Sequence, residues 1–218
     1  MNMKTKYFHP IYVLLLSILI MSCDLLGDND GKDIGGDPSP MGEINNTFDV
    51  GVSSFPGVSN TSAKVTARNG DVSTVTYSVK ITDPTLLNLV KAMPDVVVEG
   101  NNASVSRDYK ITTKGFQSVY EEGNLTIMDY DAKVGDKYTI KHDGKTIVRE
   151  VKKVSKVDEY QWGFMLIKTI HVEETGRGIP GLSKVEFIGN HKWGMVGVVL
   201  HFEDGSSKTI GIYSDANN

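Results

Sequence analysis

The chain has 218 residues, 39% of them hydrophobic and 23% charged, with a formal net charge of −4 and a single cysteine. One cysteine excludes an intramolecular disulfide framework. An acidic balance with no recognition motif argues against nucleic acid as a partner.

The first ten residues carry Lys4 and Lys6 and no acid, and residues 11–21 are apolar except for Ser17. That run has the length of a signal-peptide core and is too short for a membrane-spanning helix, which needs about 20 residues. It ends in Ile20-Met21-Ser22-Cys23, which resembles the bacterial lipobox. The resemblance implies cleavage after residue 22, a diacylglycerol on the Cys23 thiol and acylation of its amine. Palmitate-like chains on Cys23 then make the membrane the first expected partner, since stable anchoring takes more than one acyl chain.

Residues 24–43 hold six acids, one lysine, five glycines and two prolines. So little apolar surface predicts a disordered tether, reaching about 25 Å as a flexible coil. The acidity belongs to this stretch: residues 44–218 hold 20 basic and 21 acidic residues. Asp28-Asn29-Asp30-Gly31-Lys32-Asp33 invites a calcium loop, but an EF-hand with Gly31 at its sixth place would begin on Leu26. An acidic run just after the lipidated cysteine resembles the export signal of surface lipoproteins in the Bacteroidetes. That implies the outer membrane, with the cell surface preferred over the periplasmic face.

From residue 44 the pattern is β. Val75, Tyr77, Val79 and Ile81 alternate with Thr76, Ser78 and Lys80, as in a strand with one buried face. Similar runs cover 104–113, 137–141, 146–154, 162–172, 184–188, 195–202 and 208–213. Asn69-Gly70, Asp143-Gly144 and Asp204-Gly205 sit between such runs and predict type I′ hairpins. Asp83 before Pro84, with Leu86, Leu89, Val90 and Met93 on one face, predicts a short helix over 84–93. A helical turn near 115–121 is a weaker expectation. The fold class is mainly β, an antiparallel sandwich or barrel-like domain over 44–218. The length also permits two lobes, 44–114 and 115–218.

Chemical motifs are sparse, and none implies a cofactor. His171 with Glu173, and His201 with Glu203, could each offer zinc two ligands, but neither pair has a third at a recognisable spacing. Asp129 with Asp131, Asp158 with Glu159, and Glu173 with Glu174 are the carboxylate pairs an envelope hydrolase would need. Residues 137–156 carry seven basic residues against two acids. That hairpin reads as a solvated face, or as a site for an anion. Tyr160, Trp162 and Phe164 alternate along one strand face, which makes them core or a stacking platform. Trp193 lies with His191 and Lys192 in a turn-like stretch, placed either to bind a ligand or to cap the core.

Taken together, the lipobox, the acidic tether, Val134-Gly135-Asp136-Lys137-Tyr138, Arg149-Glu150-Val151 and Asn190-His191-Lys192-Trp193-Gly194 resemble small β-rich surface lipoproteins of the Bacteroidetes. The resemblance carries no activity. The expected function is a lipid-anchored binding or accessory module for a glycan or envelope protein, with Trp193, Lys192, His191, Tyr160 and Trp162 as its candidate site. A hydrolase is the alternative.

Overall fold

A computed structural model of the chain describes residues 32–51, 57–91, 95–120, 123–142, 145–176, 178–179 and 181–217. The signal peptide, Cys23 and the first part of the tether lie outside these residues.

Among the described residues, fifteen strands and one α-helix follow in chain order. They are β1 (Thr47–Val50), β2 (Val58–Asn69), β3 (Val72–Ile81), α1 (Pro84–Lys91), β4 (Val97–Glu99), β5 (Asn102–Thr112), β6 (Gly115–Tyr120), β7 (Gly123–Asp129), β8 (Lys137–His142) and β9 (Lys145–Val154). After them come β10 (Tyr160–Trp162), β11 (Met165–Ile167), β12 (Ile170–Thr175), β13 (Leu182–Asn190), β14 (Gly194–Phe202) and β15 (Ser207–Ser214). Thirteen strands make one antiparallel sheet in the order β7-β6-β5-β3-β2-β1-β15-β14-β13-β12-β9-β8, with β4 beside β5. The terminal strand β7 lies against β8, β12 and β13, so the sheet curls into a nearly closed barrel. The mainly β, barrel-like expectation holds.

Alternation builds the interior. On β2 and β3, Val65 and Val75 are buried while Thr66, Thr74 and Thr76 face outward. The outer residues hydrogen-bond across strands: Thr66 to Thr76 at 2.9 Å, Thr76 to Ser106 at 2.8 Å and Thr74 to Asp108 at 2.6 Å. Such cross-strand pairs stabilise a sheet by about 0.2–1 kcal/mol each. One core unites Phe48, Val65, Tyr109 and Ile111 with Val172, Phe187, Leu200 and Ile210. Residues from both sides of 114–116 supply this core. Residues 115–120 are strand rather than a helical turn, because β6 is hydrogen-bonded on both sides, to β5 and to β7.

The helix forms as its sequence predicts. Asp83 accepts the Leu86 backbone N–H at 2.9 Å, and Leu86 and Val90 bury against Ile81, Ala103 and Val105. Its expected last residues lie outside the described set. The turns differ from expectation. In the β2–β3 turn only Gly70 is left-handed (φ +62), and Asn69 pairs with Val72. The turn thus centres on Gly70-Asp71 and is not type I′, which needs positive φ at both central residues. The β14–β15 loop covers residues 203–206, with Gly205 at φ +83 and Phe202 N–H bonded to Ser206 O at 2.9 Å. The Asp143-Gly144 turn lies outside the described residues, though β8 and β9 pair on either side of it.

Residues 32–43, expected as free tether, are docked. Pro38 bridges to Thr112, Ser39 N–H bonds Ile111 O at 2.9 Å, and Met41 enters the core. Lys110 is paired with both Asp33 and Asp71, and it holds the Asp33 carboxyl below the usual carboxylate range. Composition hid this, because one methionine and backbone pairing are enough to dock an otherwise polar strip.

Candidate functional site

The expected strand over 162–172 is interrupted. Gly163 (φ +55) and Phe164 turn the chain, so β10 and β11 form a separate two-stranded hairpin before β12 begins at Ile170. This hairpin packs on the large sheet. Trp162 and Ile167 bury against Ile188, Val196 and Val199, forming a small apolar cluster of their own.

Four of the five candidate site residues, Tyr160, Trp162, Lys192 and Trp193, lie at this cluster, with unequal roles. Trp162 is buried; its indole N–H donates to Ile212 O at 3.0 Å. Its ring stacks on Tyr213 (centroids 5.0 Å apart, 19° between planes) and meets Trp193 at 5.1 Å. Trp162 is therefore a brace rather than a sugar platform. Trp193 is half-buried beside it, and the Lys192 ammonium sits 4.6 Å from the Trp193 ring centroid. The turn carrying them is fixed by Asn190, whose Oδ1 accepts the backbone N–H groups of Lys192 and Trp193 at 2.8 and 3.0 Å. His191 is exposed on that turn. Tyr160 is half-buried and meets the His171 ring edge-on at 5.9 Å.

Phe164 does not continue an aromatic ladder. It is 106% exposed at the hairpin tip, followed by Met165 at 42% and Leu166 at 55%. The apolar run 164–167 has core composition, but a tight turn at 163–164 places most of it in solvent.

Beneath the hairpin lies a polar network that sequence spacing missed. Glu186 on β13 accepts from His171 Nδ1 at 2.5 Å and from His201 Nε2 at 3.1 Å. A carboxylate can only accept, so a proton sits on His171 Nδ1, and Nε2 lies 2.9 Å from the Thr169 hydroxyl. Hydroxyl, imidazole and carboxylate in series are the parts of a nucleophilic triad. Thr169 is only 2% exposed, however, which keeps its oxygen out of reach of a substrate. The network is structural. The two histidine hydrogen bonds, with His171 the larger influence, lower the Glu186 pKa from 4.5 to about 2. A depressed carboxylate pKa contributes stability above its ordinary value, and that contribution is lost as pH falls from about 4.5 towards about 2. Its full worth is about 3 kcal/mol. Glu186→Gln should thus be destabilising at neutral pH, with the gap from wild type closing on acidification. Urea melts across the carboxylate range check this, and a gap independent of pH would refute it.

The remaining candidates separate. Glu173 and Glu174 point to opposite faces of β12: Glu173 pairs with Lys184 outside, while Glu174 is buried against Arg149 at 2.8 Å. Asp129 accepts the Asp131 backbone N–H, and Asp131 pairs with Lys114. Asp158 is exposed, and Glu159 pairs with Lys153 at 2.7 Å. No pair is thereby presented across a cleft. Among the described residues no three His, Cys, Asp or Glu side chains converge as metal ligands. The basic hairpin is not a uniform solvated face either. Lys137 and Lys152 flank Glu150, and Arg149 is wholly inside.

The barrel holds a second feature, a partly open apolar pocket of about 120 Å³ lined by Phe48, Val75, Tyr109, Ile127, Val198 and Ile210 among others.

No protein family matches the chain, and no curated protein does. A solved structure that is similar belongs to a protein from Bacteroides fragilis NCTC 9343, described as exported and of YmcC-like fold. It is 8% identical and aligns over 83% of this chain and 97% of its own, with a TM-score of 0.42.

Proposed function

We propose that the chain is a lipid-anchored binding module of the bacterial cell envelope, tethered through Cys23, which docks a partner envelope protein on the β10–β11 hairpin. The observation that carries the docking site is the fully exposed Phe164, with Met165 and Leu166, at a tip braced by buried Trp162. Protein interfaces are enriched in aromatic residues and methionine at their centre and polar at their rim. Lys192, His191 and half-buried Trp193 supply such a rim here. A glycan is less well served, because Tyr213 and Trp193 already occupy the Trp162 ring. The lipobox supports the anchor. Eight residues separate Cys23 from Lys32, so the domain lies within about 30 Å of the lipid even if they are fully extended.

A photo-crosslinking residue placed at Phe164 tests the reading in cells. It should give one discrete adduct with an envelope protein, absent when the crosslinker stands at exposed Asn101 and absent after Leu166→Asp. Cys23→Ala should abolish fatty-acid labelling and reduce the adduct. Label persisting on the alanine variant would refute the anchor. Adducts equal at both positions, or adducts with lipid alone, would refute the docking site.

A further inference from the structure

We propose that His171 is a pH-operated latch for the β10–β11 hairpin, fastening its base when the ring carries two protons and loosening it when one is lost. The inference rests on the docking reading above, because it names how that same hairpin is regulated. A chain of side chains runs from the hairpin base to β13. Ser155 Oγ donates to Glu159 at 2.9 Å and stands 3.3 Å from Thr169 Oγ1. Thr169 Oγ1 lies 2.9 Å from His171 Nε2, and His171 Nδ1 donates to Glu186 at 2.5 Å. Carboxylates close the chain at both ends and can only accept, so these four contacts need four protons. Ser155 and Thr169 supply one each. With one proton on the ring the chain is one short, because Thr169 can serve His171 Nε2 or Ser155 but not both. With two, Nε2–H donates to Thr169, Thr169 to Ser155 and Ser155 to Glu159, and every contact is a hydrogen bond. Ser155 and Thr169 are buried, so bulk water does not make up the difference.

The charged and titratable groups around the ring come from every neighbouring element. On β13 it faces Glu186, whose other oxygen accepts from His201 Nε2 of β14 at 3.1 Å. On β9 it stands opposite Lys153, whose ammonium is drawn off to Glu159 at 2.7 Å. Tyr160 of the hairpin meets it edge-on at 5.9 Å, and on β12 itself Glu173 is paired with Lys184. Glu186, lowered to about 2 chiefly by its His171 bond, stays ionised across about pH 5–8, where imidazoles change charge. His201 lies beyond Glu186, so its own charge adds no proton to the hydroxyl chain. The hairpin is rooted in that chain. Ser155 N–H bonds Thr169 O at 2.8 Å and Glu159 N–H bonds Ile167 O at 3.3 Å. Ser155 and Glu159 thus stand between β9 and β10, and Thr169 stands between β11 and β12. The latch is engaged below the imidazole range and is lost as pH rises through it, which loosens the root of the element that presents Phe164.

The full-length protein tests this without any partner. Ring-nitrogen NMR signals of His171 should show both nitrogens protonated at about pH 5.5 and a bare Nε2 at about pH 8. Between those values, amide exchange of residues 160–167, corrected for its intrinsic pH effect, should lose protection about 5–10-fold, as for one hydrogen bond. His171→Gln keeps a donor and an acceptor but cannot change charge, so it should remove the pH dependence. Ser155→Ala should remove it too, since the shortened chain is complete with one proton on the ring. His201→Gln should leave it in place. Protection in wild type that ignores pH would overturn the latch, as would a dependence that persists in His171→Gln or in Ser155→Ala. The crosslinker at Phe164 separates the latch from the docking reading, and its adduct should weaken from the lower pH to the higher. An adduct equal at both would overturn the regulation. No adduct at either, with exchange still following pH, would refute docking and leave the latch standing.

Discussion

Arg149→Met should lower stability by about 3–5 kcal/mol, seen as a large fall in the urea midpoint, although arginine to methionine is a modest change of volume. Arg149 is 1% exposed. Its Nε donates to Glu174 at 2.8 Å, its Nη1 donates to Thr126 O on β7 at 2.9 Å, and the guanidinium lies 5.3 Å from the Phe187 ring centroid. Removing it strips a buried carboxylate of its cation and leaves a β7 carbonyl short of a donor. The cost is mainly desolvation left uncompensated, so replacing both partners should recover most of it. Arg149→Met with Glu174→Leu should be closer to wild type than either single variant. A single-variant loss within about 0.5 kcal/mol, as at ordinary surface sites, would show that Arg149 does not hold β7 and β12 to β9.

Arg149 also shows what was legible in the sequence and what was not. Ile147, Arg149 and Val151 are two residues apart, and so are Val172 and Glu174, so strand phase alone places both charges on the buried face. Counting charge across 137–156 masked that phase and assigned Arg149 to solvent. Strands β3, β5, β8, β9 and β13 to β15, the short helix and the barrel-like class were legible because alternation and an Asp-Pro helix start are local signals. The His171–Glu186–His201 network was not. Its β13–β14 half depends on a one-residue register slip between Ile188 and Gly189, which sets Lys184 opposite His201. Its β12–β13 half crosses a loop with glycines at 176, 178 and 181, and no residue pattern there sets the register. The hairpin tip failed for a third reason. Phe164-Met165-Leu166 has core composition, and only the turn at Gly163 turns it outward.

A chain beginning at Ile44 should unfold at lower urea than one beginning at Lys32, with a loss of at least about 3 kcal/mol. The larger part is Met41, which is 4% exposed and packs so closely that a Cβ added to Gly194 would lie 2.4 Å from its sulfur. Emptying a buried methionine site costs about 2–5 kcal/mol. Backbone bonds add to this: Ser39 N–H to Ile111 O at 2.9 Å, and Thr113 N–H to Asp37 O at 2.8 Å. The Asn46 amide would lose the Met41 carbonyl it reaches at 2.8 Å, and the Ser73 hydroxyl would lose the Gly42 carbonyl at 2.7 Å. Asn46 keeps its bond to Ser214 at 3.1 Å, and each lost bond is worth about 0.5–1.5 kcal/mol. The ion pairs matter less. Asp33 is half-exposed, so Asp33→Asn should cost under about 1 kcal/mol. Met41→Ala alone should reproduce much of the truncation. If the two truncated chains melt alike, residues 32–43 are a tether after all and the domain begins at Ile44. If Met41→Ala is neutral while truncation is costly, backbone pairing of the strip, rather than the methionine, is what holds it to the sheet.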